Sequence, residues 1–585
     1  MKNLLVYLKD YKKESILGPL FKLLEASFEL IVPLVVASMI DVGIGKADHG
    51  YIVKMCLIMA ALGLIGLVCA VTAQFFAAKA AVGFATKLRH GLFAHIQSLS
   101  FSRMDKEGTS TLITRMTSDI NQVQSGVNLV LRLFLRSPFI VFGAMIMAFT
   151  VDVKAALVFV VVIPVLSVIV FGIMLISIPL FKKVQARLDQ VLGITRENLT
   201  GVRVIRAFGE EEHEIEKFDE GTDALKHMQM VAAKFSALMN PLTYVVVNGG
   251  LIALSYIGAV RVEAGILTSG QVVALVNYMS QILVELVKLA NLIITVTKAV
   301  ACGNRIQSIF DIPAGMEQEK REASSDPAAF GKVVVEFDHV SLRYHEGGEE
   351  ALTDIHFKAE KGDVIGVIGG TGSGKSSLVN LIPRFYDVEK GSVKVDGKDV
   401  REYPLEELRD KIGMVMQKAV LFHGTIRDNL KWGNENASDE EIWEALKIAQ
   451  AEEFVLKKEK RLNEMIEQEG RNLSGGQKQR LSIARALVKK PEILILDDSA
   501  SALDYATDAA LRKALKEMPG ETTVFIVSQR ASSLMHADTI IVLDDGDVAG
   551  MGKHEELLES CEVYQEIYYS QFEHAKEVEK KEGEA

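Results

Sequence analysis

The sequence is poor in the residues that hold small secreted or metal-dependent folds together. Its four cysteines, Cys56, Cys69, Cys302 and Cys561, are scattered over 585 residues without a CxxC pair. That spacing indicates neither a disulfide framework nor a zinc site, and leaves buried small hydrophobes or free thiols of a cytosol-facing protein. Positive charge is in deficit: 65 Lys and Arg against 76 Asp and Glu give a net charge of -11. This argues against nucleic acid as the main partner, because phosphate backbones are bound by basic surfaces. With 45 Gly, 12 Pro and no compositional repeat, fibrous and disordered classes are excluded as well. Long apolar runs are missing too, but only from one half. After about residue 300 none reaches the ~18 residues needed to cross a bilayer.

Before that point they dominate. The chain is 49% hydrophobic yet 24% charged, so the two kinds of residue are segregated along it. No charge occurs between Lys154 and Lys182, between Lys234 and Arg261, or between Glu263 and Glu285, and each run is long enough for a spanning helix. Met55 to Ala78 is a fourth span. Ile16 to Ile40, with Lys22, Glu25 and Glu29, and Leu129 to Val151, with Arg132 and Arg136, are apolar but interrupted. The expected transmembrane domain is residues 1–315, with spans at about 16–40, 55–78, 129–151, 155–181, 235–260 and 266–297. The lysine-containing N-terminus has no small-residue cleavage site after its apolar run and reads as leading into an uncleaved first span.

Positive charge orients these spans. The connections Asp41–Gly50, Asp152–Lys154 and Arg261–Gly270 are short and hold only Lys46, Lys154 and Arg261, whereas Lys79 to Asn128 and Lys182 to Lys234 are long and basic. The long connections, both termini and the polar half are therefore expected in the cytoplasm of a multi-pass cell-membrane protein. Within them Ile194, Leu199, Val202 and Ile205 recur at helical spacing, so the spanning helices either continue into the cytoplasm or give way to solvated amphipathic loops. A charged linker is expected at 316–331, a soluble domain at 332–573 and a charged tail at 574–585. The soluble part opens with strand-like VVVEF and alternates strands with helices, which is α/β in character.

Strand-like VIGVIG, Val364 to Gly369, runs into Gly369, Gly370, Thr371, Gly372, Ser373, Gly374, Lys375, Ser376 and Ser377, then into apolar-periodic LVNLIPRF. This is GxxxxGK[ST] in its strand–loop–helix context. The glycines let backbone N–H groups converge on phosphate oxygens, Lys375 reaches the β/γ-phosphates, and the Ser376 hydroxyl ligates Mg²⁺. A second apolar strand, ILIL, ends in Asp497 and Asp498, at the strand edge where open α/β sheets bind ligands; Asp497 is expected to hold Mg²⁺. Upstream, Leu473, Ser474, Gly475, Gly476 and Gln477 open the helical segment KQRLSIARAL, either as a second anion-binding helix end or as an ordinary N-cap.

These motifs in this order, followed by SALD at Ser501 to Asp504, resemble the ATP-binding cassette family. With six preceding spans the chain is similar to an ABC exporter half-transporter over nearly its whole length. The resemblance implies an α-helical transmembrane domain of six spans with long cytoplasmic helical extensions, fused to a cytoplasmic α/β P-loop nucleotide-binding domain. It further implies two homologous subunits sandwiching two ATPs, each between one subunit's phosphate loop and the other's LSGGQ. Tyr344 resembles the aromatic that stacks on adenine, although an isolated aromatic beside a strand also suits a core. Gln417 resembles the glutamine that contacts Mg²⁺ and senses the membrane domain, and Asp504 the aspartate that closes SALD. Ser110–Asp119 and Glu210–Phe218 look like coupling helices; by sequence alone they read as solvated amphipathic helix.

Two positions depart from the family pattern. Asp498 stands where the family usually carries the Glu that orients the attacking water, and Gln529 stands where it has a histidine touching the γ-phosphate. A carboxylate one methylene short is misplaced by about 1 Å, which can cost on the order of a hundredfold in rate. A neutral amide cannot become a cationic donor. Together the departures resemble the degenerate subunit of heterodimeric bacterial multidrug exporters. The chain is expected to bind ATP and Mg²⁺, hydrolyse weakly, and complete a homologous partner's competent site, a heterodimer being favoured over a homodimer. The expected cargo is an amphipathic drug or lipid. Glu25, Glu29 and Glu285 at membrane depth read either as an acidic cavity wall that attracts lipophilic cations, with Lys288 paired to Glu285, or as residues already in cytoplasmic water. A nucleotide-gated channel or regulatory subunit is the alternative function; a soluble ABC protein is excluded by the six spans.

Overall fold

The computed structural model describes residues 2–313, 315–316, 332–344, 347–499, 501–518 and 520–572. All but Met316 of the expected linker, and the tail at 574–585, lie outside them. The chain divides into two compact units, Met1–Ser98 with Glu107–Pro313, and Leu99–Lys106 with Ala314–Ala585.

The first unit is helical throughout. Lys2–Tyr11 forms a 3₁₀ turn, followed by α1 (Lys12–Ser38), α2 (His49–Gln97), α3 (Phe101–Glu107, assigned mostly to the second unit), α4 (Thr109–Thr114), α5 (Ile120–Leu133), α6 (Arg136–Val151), α7 (Val153–Phe208), α8 (Glu211–Ala237), α9 (Met239–Glu263) and α10 (Ser269–Phe310). Among the described residues six helical stretches are long and apolar enough to cross a membrane. The 56 residues of α7 span about 84 Å at 1.5 Å each, far beyond a hydrocarbon core of ~30 Å, so the expected helical extensions are present. The third stretch is not one helix: Phe134 and Leu135 form a turn between α5 and α6, one residue before Arg136.

Local chemistry starts each helix that follows a short connection. Asp48 accepts from the Tyr51 N–H at 3.0 Å, Asp152 from the Ala155 N–H at 2.8 Å, and Thr268 with Gln271 forms a capping box. These side chains satisfy donors left over at helix N-termini, which no water in lipid would satisfy. Small residues then let helices approach. Ala73, Ala77, Ala80, Ala81 and Ala85 of α2 are fully or almost fully buried, and a Cβ added at Gly18 of α1 would lie 3.4 Å from the Ala77 nitrogen. Packing of this kind, rather than hydrophobic exclusion, holds helices together in lipid. Large apolar side chains such as Leu64, Val161, Val168 and Ile252 remain exposed, the mark of a lipid-facing surface.

The second unit has two main sheets. Strands run β1 (Val333–Leu342), β2 (Leu352–Glu360), β3 (Val364–Gly369), β4 (Lys390–Val395), β5 (Lys398–Asp399), β6 (Ile412–Val415), β7 (Gly424–Thr425), β8 (Met465–Ile466), β9 (Ile493–Asp497), β10 (Thr523–Val527), β11 (Thr539–Asp544) and β12 (Asp547–Gly552). One sheet has the order β2-β1-β4-β5 and is antiparallel; the other has the order β12-β11-β3-β10-β9-β6, parallel except for its edge strand β12. Every residue of β9 and β10 is buried, as expected of parallel strands covered on both faces. Ile365, Val367, Ile495 and Phe525 belong to the cluster that packs this sheet against β1, β2 and β4.

Ser110–Asp119 belongs to the first unit, where buried Asp119 is held by Arg115 and Arg305. It is Leu99–Lys106 that groups with the second unit. There the Phe101 ring lies 4.7 Å from Phe385, and the Tyr386 hydroxyl donates to Asp105 at 2.7 Å. Glu210–Phe218 covers the turn from α7 into α8.

The start of α10 admits no side chain. A Cβ at Gly270 would sit 2.3 Å from the Ala37 carbonyl oxygen, and the Gly270 N–H donates to Asp41 at 2.8 Å. Gly270→Ala should destabilise the chain by about 1–3 kcal/mol through overpacking, read as a lowered unfolding temperature in detergent. Gly249→Ala, where an added Cβ meets nothing within 4 Å, is the control and should leave it unchanged.

Candidate functional site

The carboxyl ends of β3, β9 and β10 lie side by side because β10 pairs in parallel with both neighbours. That pairing brings three distant segments to one edge. From β3 the chain turns at Gly369, whose φ of +156° is accompanied by crowding: a Cβ would lie 2.1 Å from the Leu543 carbonyl oxygen. Gly374, with φ of +93°, caps the helix Lys375–Leu381. Gly370 and Gly372 face open space, with nothing within 4 Å of an added Cβ. The Lys375 ammonium donates to the carbonyls of Gly369, at 2.9 Å, and Gly370. Burial pulls its pKa down, while Asp498 and Asp497 oppose the shift.

Ser376 donates to Asp497 at 2.9 Å. Burial pushes the Asp497 carboxyl above its ordinary range, and the Ser376 hydrogen bond opposes this. Asp498 takes a left-handed φ of +46°, which Asp tolerates better than most residues; its amide donates to Val527 at 3.0 Å. Gln417 Nε2 lies 3.4 Å from the Asp498 carboxylate. Thr371, Gly372, Gly374, Lys375, Ser376, Ser377, Gln417, Asp497, Asp498 and Gln529 line one cavity of about 220 Å³. Its chemistry suits a triphosphate and a hard cation: a cradle of glycines with room inside, one ammonium, and hydroxyl and carboxylate oxygens next to each other.

The remaining expected residues lie apart from that cavity's lining. The Tyr344 hydroxyl donates to Ser377 at 2.8 Å, and its ring meets Tyr386 edge-on at 4.9 Å. Burial raises the pKa of both phenols, and the charge of Asp105 adds to the shift at Tyr386. Ser474 caps the helix Gly475–Val488 in a capping box with Gln477; beyond it Gly475 faces open space. Asp504 caps the helix Tyr505–Lys516 by accepting from the Thr507 N–H and hydroxyl, each at 2.9 Å.

The membrane carboxylates are ion-paired. Arg136 donates to Glu285 at 2.5 Å and to Glu29 at 2.7 Å. Glu285 also accepts from Ser137 at 2.7 Å and Lys288 at 2.8 Å, and Glu25 is paired with Lys22 at 2.6 Å. The pairing has an electrostatic reason: a carboxylate out of water is retained where a cation and hydrogen bonds compensate it. Arg136 is visible in the sequence only as an interruption of an apolar span, and its partners are 107 and 149 residues away.

Comparison with known proteins matches this geometry to a family. Residues 15–286 match the ABC transporter transmembrane region, and residues 352–501 match the ABC transporter family. The chain is 37% identical over 572 residues to the uncharacterized ABC transporter ATP-binding protein YfiB of Bacillus subtilis, covering 98% of this chain and 99% of that one. It is 30% identical over 570 residues to an ATP-dependent lipid A-core flippase of Yersinia pestis, covering 97% and 96%. Its fold is similar to that of a bacterial Atm1-family ABC exporter with ATP bound, with TM-score 0.78, 23% identity, and 96% and 99% of the two chains covered. The chain belongs to the ABC transporter family. It is an ATP-driven ABC exporter half-transporter, a multi-pass membrane protein with membrane and ATP-binding domains in one chain and the latter in the cytoplasm.

Substitutions at the site and in the membrane cluster have distinct expected outcomes. Tyr386→Phe keeps the ring against Tyr344 but removes its bond to Asp105, and should raise the ATP KM about fivefold, roughly 1 kcal/mol, with kcat little changed. Steady-state ATPase titration checks it; an unchanged KM would reduce the tyrosine to packing. Arg136→Ala removes the buried cation shared by Glu285 and Glu29 and should cost about 3–5 kcal/mol, whereas Lys288→Ala, at a half-exposed cation, should cost about 1 kcal/mol or less. Equal losses on thermal unfolding would show that Arg136 does not hold the cluster.

Proposed function

We propose that this chain is the weakly hydrolytic subunit of a heterodimeric exporter of amphipathic lipids or drugs. The observation that carries the reading is that both departures, Asp498 and Gln529, line the same cavity as Lys375 and Asp497. One lost group can be compensated by a neighbour; here the group expected to orient water and the group expected to touch the γ-phosphate are both altered. ABC exporters work as dimers, and in this reading LSGGQ serves the nucleotide held by a homologous partner. Glu210–Phe218 would then press on a nucleotide-binding domain as a coupling helix.

Within its own site Lys375 neutralises phosphate charge and the glycine loop presents its N–H groups to the phosphate oxygens. Ser376, Asp497 and Gln417 would hold Mg²⁺, which draws charge from the phosphoryl oxygens when bound. Tyr344 is the face on which adenine stacks. Asp498 can accept a proton from water, but its short side chain misaligns it, and Gln529 offers only a neutral donor. The site therefore favours holding ATP over cleaving it.

The cargo follows from the membrane charges and from the lipid that the flippase relatives are named for. Lys22, Arg136 and Lys288 balance Glu25, Glu29 and Glu285, so this cluster favours no net charge on a substrate, and apolar surface decides binding.

Steady-state ATPase activity of the purified complex is the test. Ser474→Arg puts bulk and charge at the helix end that should meet the partner's γ-phosphate and should lower turnover about a hundredfold. Asp498→Asn should lower it little. If both variants are equally damaged, Asp498 is an active base and the asymmetric reading falls. Identification of the stoichiometric companion of the purified chain separates a heterodimer from a homodimer.

A further inference from the structure

The outer face of the antiparallel sheet carries a side-chain cluster that nucleotide chemistry does not use. β1 and β2 pair Phe337 with Phe357 and next Val340 with Ile355. Asp338 and His339 on β1 therefore share a single opposite residue, His356 on β2, which is a β-bulge. In a regular strand two consecutive side chains leave on opposite faces. The bulge, with His339 at φ of +51°, keeps both away from the buried core, on the side where His356 is exposed.

Asp338, His339 and His356 can each bring one ligand atom within 4.8 Å of the other two. The two imidazoles stack with centroids 5.2 Å apart, and His356 Nδ1 lies 4.0 Å from Asp338 Oδ1. Asp354 sits behind: its Oδ1 is 2.6 Å from His339 Nδ1. A carboxylate only accepts, so Nδ1 carries a proton, and Nε2 offers its lone pair when the ring is neutral. This is how an outer carboxylate orients a metal-binding histidine. Surface ion pairing is the simpler account, and Lys394 does lie 3.6 Å from Asp338. It does not account for two stacked imidazoles, which repel one another when charged and share a cation well when neutral.

We propose that Asp338, His339 and His356 form a binding site for one divalent transition-metal ion of the Zn²⁺ class, with Asp354 as positioning residue. Two imidazoles and one carboxylate favour such an ion over Mg²⁺ or Ca²⁺, which take oxygen ligands. Ligand atoms must close to about 2.0–2.2 Å from the metal, and side chains at the sheet surface are free to do so. The ion would clamp β1 to β2 a few residues before Tyr344.

Calorimetric titration of the full, tag-free chain with Zn²⁺, in excess Mg²⁺ and without nucleotide, tests this. The wild type should take up one Zn²⁺ per chain saturably. His356→Ala should abolish the uptake, and Asp354→Asn should weaken it about tenfold. Basal ATPase activity, which depends on none of these residues, should stay unchanged and report intact folding. His339→Asn, which tolerates the left-handed backbone, is the second variant and should also lose the metal. Absence of saturable uptake by the wild type, or uptake that survives in both His356→Ala and His339→Asn, overturns the proposal.

Discussion

The parallel pairing of β10 with β3 on one side and β9 on the other is the constraint on which the nucleotide chemistry depends. It places Gly369, Asp497 and Val527 at a common edge although 158 residues separate the first from the last. The glycine loop, the paired aspartates and Gln529 leave from that edge, and Gln417 joins them from the end of β6. Because all residues of β9 and β10 are buried, the edge is held by packing on both faces. A side chain there can be exchanged without moving the backbone that carries it.

In the membrane part the governing constraint is electrical. Taking an ion out of water costs several kcal/mol, and each of the three carboxylates meets a cation. Arg136 is the centre of this arrangement since it alone reaches two of them, tying α6 to α1 and α10. Its guanidinium is suited to that position, being planar, permanently charged, and able to present donors to two acceptors at once. It directly follows the turn that divides the third spanning stretch, so a break in the helix and its strongest long-range tie fall in the same place.

What can be read from the sequence is what is local. Charge-free runs mark spanning helices because the bilayer tests composition residue by residue. GGTGSGKSS declares its loop because a tight turn before a helix needs glycine in fixed places. Lys288 can be paired to Glu285 from i, i+3 spacing alone, and the structure has that bond. Arg136 cannot be paired, since its acceptors lie on other helices. The bulge at Asp338 and His339 is equally silent, because a strand's alternation does not announce where it slips. Leu99–Lys106 mixes charged and apolar residues without a period, so nothing local sets it above the neighbouring Ser110–Asp119. Its grouping with the second unit rests on tertiary contacts with Phe385 and Tyr386.

The capping box at Ser474 bears on how this transporter resets. Ser474 and Gln477 already satisfy one another's backbone donors, so the signature segment waits in a relaxed state. The cap uses only an acceptor lone pair of the serine hydroxyl, so its O–H is left to donate to a phosphate while the cap, worth about 1 kcal/mol, stays in place. The helix end can therefore meet an anion without giving up a bond of its own. A contact built that way needs no repair of the helix end when an anion leaves, because the cap is in place throughout.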